Sequence, residues 1–223
     1  NVLLYIDNVP SIKTFPFVSK NCQEAALILK INPAAFSLSP RDILKFFPNI
    51  NTMVVSNSAD LKRTYTLPDA VKSLIIREFD FKDLIDERFQ FTDRVVEIQK
   101  CCSDAWHPAN FSIFPNLERL RLNDVLGTIT LPRHRLKHIT VDCLWATSFR
   151  LVNPECAEQI VFVFSSHKEF LAAKRTFLPQ NVHIFCTEIG QGVSPKDFLP
   201  HNKKQGNITI TRSFGVGNLR AFN

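Results

Sequence analysis

Glycine is scarce in this chain, with 6 residues in 223 against 13 prolines. A Gly-poor chain makes few tight turns of positive φ, so another residue must punctuate it. Tryptophan and tyrosine contribute two residues each, whereas phenylalanine contributes 20. No stretch approaches the ~18 apolar residues that a bilayer-spanning helix needs, and no signal peptide is visible. There is no phosphate-binding loop, no G-x-S-x-G and no H-E-x-x-H. The six cysteines (Cys22, Cys101, Cys102, Cys143, Cys156 and Cys186) lack metal-type spacing. Most have apolar neighbours, as buried free thiols do, which leads us to expect a reducing compartment, cytoplasmic or nuclear. Two glycosylation sequons, at Asn110 and Asn207, would matter only in a secreted chain. The chain begins at Asn1 rather than Met, so we expect a fragment of a longer protein. These absences lead us to expect no enzyme, no cofactor, no metal and no membrane partner.

What remains is globular: 45% hydrophobic and 22% charged residues argue against disorder of the whole chain. A net charge of +6 permits an acidic partner or nucleic acid. The order of the residues says more. A bulky apolar residue, proline, a few polar residues and a short apolar strand recur along the chain. The unit appears at Phe47-Pro48-Asn49-Ile50, Leu67-Pro68, Phe114-Pro115-Asn116-Leu117, Leu131-Pro132, Asn153-Pro154 and Leu178-Pro179, and without proline at Phe91-Thr92-Asp93. The strand anchors are Met53, Leu74, Ile98, Leu120, Ile139, Ile160 and Ile184, with successive gaps of 21, 24, 22, 19, 21 and 24. A period near 22 falls in the range of about 20–29 residues for leucine-rich repeats, and the 3.6-residue periodicity of helical repeats is missing. Each strand is too short to bury its own apolar face, but stacked copies bury it together. Proline ahead of each strand need not donate to the ladder and holds the preceding residue extended. Phe or Leu at that preceding position then plugs the corner.

In Leu117-Glu118-Arg119-Leu120-Arg121-Leu122 the chain resembles the leucine-rich-repeat superfamily, over roughly residues 40–190. The form of Leu67–Leu74 is similar to the irregular BspA-like repeats of bacteria and protists. The polar Asn that the family places after the strand is mostly missing. The resemblance implies an α/β fold: a leucine-rich-repeat solenoid with a curved parallel β-sheet. Residues 1–46 depart from the period and read as a helical N-terminal cap, residues 47–190 as about seven repeats, and residues 191–223 as an extension or capping repeat.

Within the cap, Val2–Ile6 and Val18–Leu29 read as helices. Asn8–Ser11 reads as a turn with Ser11 as N-cap, and Ser39-Pro40-Arg41-Asp42 opens a helix ending near Phe47. This stretch resembles an F-box without its first helix. Leu4-Tyr5-Ile6, Ile12, Val18-Ser19-Lys20 and Ala25-Ala26 match its apolar pattern. The opening Leu-Pro is absent, and Cys22 replaces an aromatic residue. The resemblance implies that Leu4, Ile6, Ile12 and Val18 form a small core that binds the Skp adaptor of a cullin–RING ubiquitin ligase. A plain helical cap explains the same residues, and the two readings are compatible.

The strand phase singles out a face. Val54, Ile75, Gln99, Arg121, Thr140, Val161 and Phe185 alternate with the anchors and should line the concave side. The next row is Thr52, Ser73, Glu97, Arg119, His138, Gln159 and His183. An exposed apolar row with Arg119 and Arg121 side by side points to a protein partner and to carboxylates on it. The expected function is therefore a protein-interaction scaffold, with an F-box-type substrate receptor as the alternative. Nucleic acid through Arg119, Arg121, Arg133 and Arg135 is disfavoured, because interleaved surface aromatics and known motifs are missing. His134 and His138 stand four apart, but among cations and beside a strand, which disfavours a metal. Cys101-Cys102 reads as packing, and Asp80, Asp83, Asp86 and Glu87 as a solvated face.

Overall fold

A computed structural model describes residues 9–33, 38–61, 65–85, 89–103, 109–125, 127–142, 149–166, 182–188 and 210–212. The side chains of the last two segments are outside the described part. The protein is α/β, with parallel strands and few helices. It divides into two compact units, one of residues 1–100 and 113–117, the other of residues 101–112 and 118–223.

The first unit opens with helices α1 (Val9–Val18) and α2 (Lys20–Ile28), followed by α3 (Pro40–Phe46). Ser11 lies inside α1 and is not its cap. Val9 and Pro10 already occupy the first turn, where a missing N–H costs nothing. Pro16 cannot donate to the helix, which ends two residues later. Ser19 caps α2 by accepting from the Cys22 amide at 3.2 Å. Ser39 caps α3, accepting from the Asp42 amide, with Pro40 in the first turn and Phe47 as the C-cap. The helix expected from Ser39 is therefore present, whereas the turn at 8–11 is helix from Val9 onward. Residues 1–8, with the expected helix at 2–6, lie outside the described residues.

Strands β1 (Thr52–Asn57) and β2 (Ser73–Asp80) pair in parallel, with Met53 opposite Leu74 as the anchors imply. β3 (Val95–Ser103) follows β2 in the sheet order, after the short helix α4 (Lys82–Ile85). Met53, Leu74 and Ile98 are buried. One turn recurs ahead of the strands: Ile50 N–H donates to Phe47, Val71 to Pro68, Arg94 to Phe91 and Leu117 to Phe114. Phe47, Leu67 and Phe114, each preceding a proline, are buried as the corner argument requires. The phenylalanines also meet each other. The Phe79 ring stands edge-on to Phe81, Phe89 and Phe114 at centroid distances of 5.4, 5.5 and 5.3 Å, the arrangement that ring quadrupoles favour.

In the second unit β5 (Arg119–Val125), β7 (His138–Asp142), β9 (Ile160–Ser166), β10 (Val182–Glu188) and β11 (Ile210–Arg212) form one parallel sheet in that order. Partners are 19 residues apart across β5–β7 (Arg119 and His138) and 21 across β7–β9 (Ile139 and Ile160). Leu120, Ile139 and Ile160 pair in line. The last anchor is corrected: Val182 stands opposite Ile160, while Ile184 stands opposite Phe162. The register is thus offset by two positions from the spacing of the anchors.

The second unit also holds a sheet that the repeat pattern does not announce. β4 (Ala109–Asn110), β6 (Gly127–Thr130) and β8 (Phe149–Val152) pair in parallel. From β5 to β9, successive strands alternate between the two sheets. Ile129 and Leu131 are buried while Gly127 and Thr128 are exposed. Gly127 takes a φ of +79°, which L side chains adopt rarely.

Leu120 is the test of this packing. Leu120→Ala should cost about 2–5 kcal/mol through lost transfer energy and the cavity left behind. Arg119→Ala, one residue away and outward, should cost under about 0.5 kcal/mol. Equal losses in denaturant melts would refute the strand phase.

Candidate protein-interaction face

The outward residues of each strand lie between buried anchors, and each unit carries its own part of the expected row. In the first unit Val54 stands opposite Ile75, and Thr52 opposite Ser73. Ile75 is half-buried, but Val54 is only 4% exposed. Its backbone is crossed by Asn32, whose Oδ1 accepts from the Val54 N–H at 2.7 Å and whose Nδ2 donates to the Val54 carbonyl at 2.9 Å. Gln99 is half-buried and donates to Glu97 at 3.0 Å.

In the second unit Arg121, Thr140, Val161 and His183 are in register, and Arg119 stands opposite His138. Val161 is 6% exposed, flanked on both sides by strands about 4.8 Å away. The expected exposed apolar row is therefore corrected at both Val54 and Val161. Phe185 stands opposite Val163, two pairs along from that row, and its side chain is outside the described residues.

The polar members bond to one another. Arg121 Nε donates to Asp142 Oδ2 at 2.8 Å, and Asn123 Nδ2 donates to the same oxygen. The Asp142 side chain is 9% exposed, so this charge is held by partners rather than by water. His138 Nδ1 meets Gln159 Oε1 at 2.9 Å, and its Nε2 meets Thr140 Oγ1 at 2.9 Å. The Gln carbonyl oxygen only accepts, which puts the proton on Nδ1 and lets Nε2 accept from Thr140. Arg119 is exposed on the same face, across from His138. Arg121 is thus engaged within the sheet, and Arg119 is the more exposed guanidinium of the pair.

The other candidates fall as follows. Asp83, expected on a solvated face, is buried and accepts from the buried Ser58 hydroxyl, while Asp80 is exposed. Asp86 and Glu87 are outside the described residues. Among the described residues no group of three or more His, Cys, Asp or Glu is placed to hold a metal ion. Of the four arginines, Arg121 pairs with Asp142, and Arg135 with Glu158 at 2.9 Å. Arg133, Arg135, Asn153, Glu155, Cys156 and Glu158 line a surface concavity of about 870 Å³. Ile12 is buried, whereas Val18 is 72% exposed and does not belong to a small core with it. Leu4 and Ile6 are outside the described residues. No described helix is long and apolar enough to cross a membrane. Comparison with protein-family models, with curated proteins and with solved structures finds no match for the chain.

Sequence reasoning missed a set of side chains that tie the turn ahead of a strand to backbone 22 to 26 residues earlier. Asn49 Nδ2 donates to the Leu27 carbonyl at 2.8 Å, and Asn116 Nδ2 to Asp93 at 2.6 Å. Both occupy the third position of Phe-Pro-Asn, which was the available signal. Where proline is missing, Arg94 reaches the carbonyls of Pro68 and Val71 at 3.1 and 2.9 Å.

Two measurements follow. Burial, then the neighbouring Glu155, push the Cys156 thiol up to about 11, against a smaller lowering by a backbone hydrogen bond. Only the thiolate attacks alkylating agents, so iodoacetamide at pH 8 should label Cys156 at least tenfold more slowly than a free cysteine; labelling at the free rate would contradict its burial. A double-mutant cycle on Arg121→Ala and Asp142→Ala should give a coupling of about 1 kcal/mol that weakens with salt. Additive losses would show that the pair is not formed.

Proposed function

We propose that the chain is a degenerate leucine-rich-repeat solenoid acting as a non-enzymatic scaffold, which binds a protein partner on the outward face of its parallel sheet. The spacing of the strand partners supports the architecture, since 19 to 22 residues separate Thr52 from Ser73, Arg119 from His138, Ile139 from Ile160 and Ile160 from Val182. The observation that carries the function is the ordered polar face of the second unit. Arg121–Asp142–Asn123 and Thr140–His138–Gln159 hold their side chains in place across strands, so a partner meets groups that need little further ordering. Arg119 on the same unit adds an exposed contact position.

The second reading, an F-box-type substrate receptor, is favoured by one observation. Phe17, Val18 and Ile28 on the N-terminal helices are 84%, 72% and 72% exposed. Exposed large apolar side chains gathered into a patch are a common mark of an interaction site.

The two readings separate in a single set of variants. Cross-linking in source cells should capture a protein on the wild-type chain that is lost on Arg119→Glu/Thr140→Arg and kept on Lys72→Glu, an exposed control. An unchanged set of captured proteins would count against the sheet face. For the second reading, calorimetry with a Skp-type adaptor should show binding that Val18→Asp abolishes while circular dichroism stays unchanged. No heat of binding by the full-length protein would leave the helices as a cap. Retention on a nucleic-acid column that falls with salt would instead favour the basic residues as a nucleic-acid surface.

A further inference from the structure

β1 is the terminal strand of its sheet, and its sequence is a hazard. Thr52-Met53-Val54-Val55-Ser56-Asn57 carries no charge, no proline and three consecutive apolar residues. Such an edge presents open N–H and C=O groups to any extended chain, and a second copy of the same strand fits it well. Proteins blunt edges with charge, proline or a bulge, and β1 itself has none of these.

Several groups on its outer side are nonetheless occupied. The Lys30 carbonyl accepts from the Asn51 and Thr52 amides at 2.9 and 3.0 Å, and Ile31 bridges Thr52 in parallel. One pair further along, the neighbouring segment stops supplying backbone. The Asn32 side chain takes over, accepting from Val54 N–H at 2.7 Å and donating to Val54 C=O at 2.9 Å. A primary amide carries the same donor and acceptor as a peptide unit, so it completes the ladder as a strand would. It also donates to the carbonyl of Pro33 at 3.2 Å, and both residues are buried. Pro33 has no N–H to extend pairing outward.

We infer that Asn32, backed by Pro33, is an edge seal: its amide side chain occupies the outer hydrogen-bonding groups of Val54 and keeps β1 from pairing with β1 of a second copy. Asn32→Ala removes both bonds and leaves the edge apolar. Asn32→Asp loses the donor but sets a charge on the edge, which disfavours pairing. Sedimentation velocity on the full chain should show wild type and Asn32→Asp at one size from 1 to 100 µM, and Asn32→Ala shifting to larger species over that range. The Val54 amide of the wild type should exchange at least tenfold more slowly than exposed loop amides. A folded Asn32→Ala that sediments like wild type overturns the inference. So does Asn32→Asp associating as readily as Asn32→Ala, because general destabilisation would then be the cause. If Asn32→Ala does not fold, exchange decides, and a Val54 amide as fast as loop amides overturns the seal.

Discussion

A parallel strand cannot take its hydrogen bonds from the segment that turns back beside it; it must wait for a chain that has gone around and returned in the same direction. The structure of both units follows from that constraint. Thr52 waits for Ser73, Arg119 for His138 and Ile160 for Val182. The return path has to be nearly constant in length, or the partners fall out of register and the anchors leave the core. Hence the spacing of 19 to 22 residues is a geometric requirement on the backbone, which the apolar residues then follow.

Constant return paths need dependable corners, and here glycine does not make them. A turn closed from Phe47 to Ile50, Phe91 to Arg94 and Phe114 to Leu117 puts a phenyl ring under each corner and leaves polar atoms on top. The rings pack inward, where Phe79 gathers Phe81, Phe89 and Phe114. The polar atoms lock outward, where Asn49, Arg94 and Asn116 donate to carbonyls about one repeat earlier. Arg94 shows that the bond matters more than the residue type. It appears where the Phe-Pro-Asn motif is lost and satisfies two carbonyls with one guanidinium.

The parts of this fold that are legible in the sequence are those written by periodic burial. Met53, Leu74, Leu120, Ile139 and Ile160 are apolar because they point inward, and their spacing gives strand order and phase directly. The slip at Ile184 arises because Val182 and Ile184 are both apolar and two positions apart in sequence, so a period of two cannot choose between them. The second sheet escapes because β4 has two residues and β6 four, too short for alternation to stand out. α1 is obscured by two prolines that normally argue against a helix, although one sits where its lost N–H is harmless. At the outward face the sequence gives orientation without accessibility. Val54 and Val161 occupy the alternating positions expected to point outward, yet both are buried.

That distinction bears on how the face would bind. The exposed apolar row expected from the sequence would draw affinity from burial, with little demand on geometry. With Val54 and Val161 buried, the outward groups are amide, hydroxyl, imidazole and guanidinium together with the half-buried Ile75, and most of the polar ones are tied to a neighbouring side chain. Groups held this way contribute specificity more than affinity, because a partner that fails to match them leaves polar atoms unpaired on both sides. Arg121 illustrates the point. Its Nε is committed to Asp142, so a partner carboxylate can reach only the rest of the guanidinium and must share it with a carboxylate already present. If the sheet binds a partner as proposed, this face would favour one whose polar pattern complements the network over one that offers only an acidic or greasy surface.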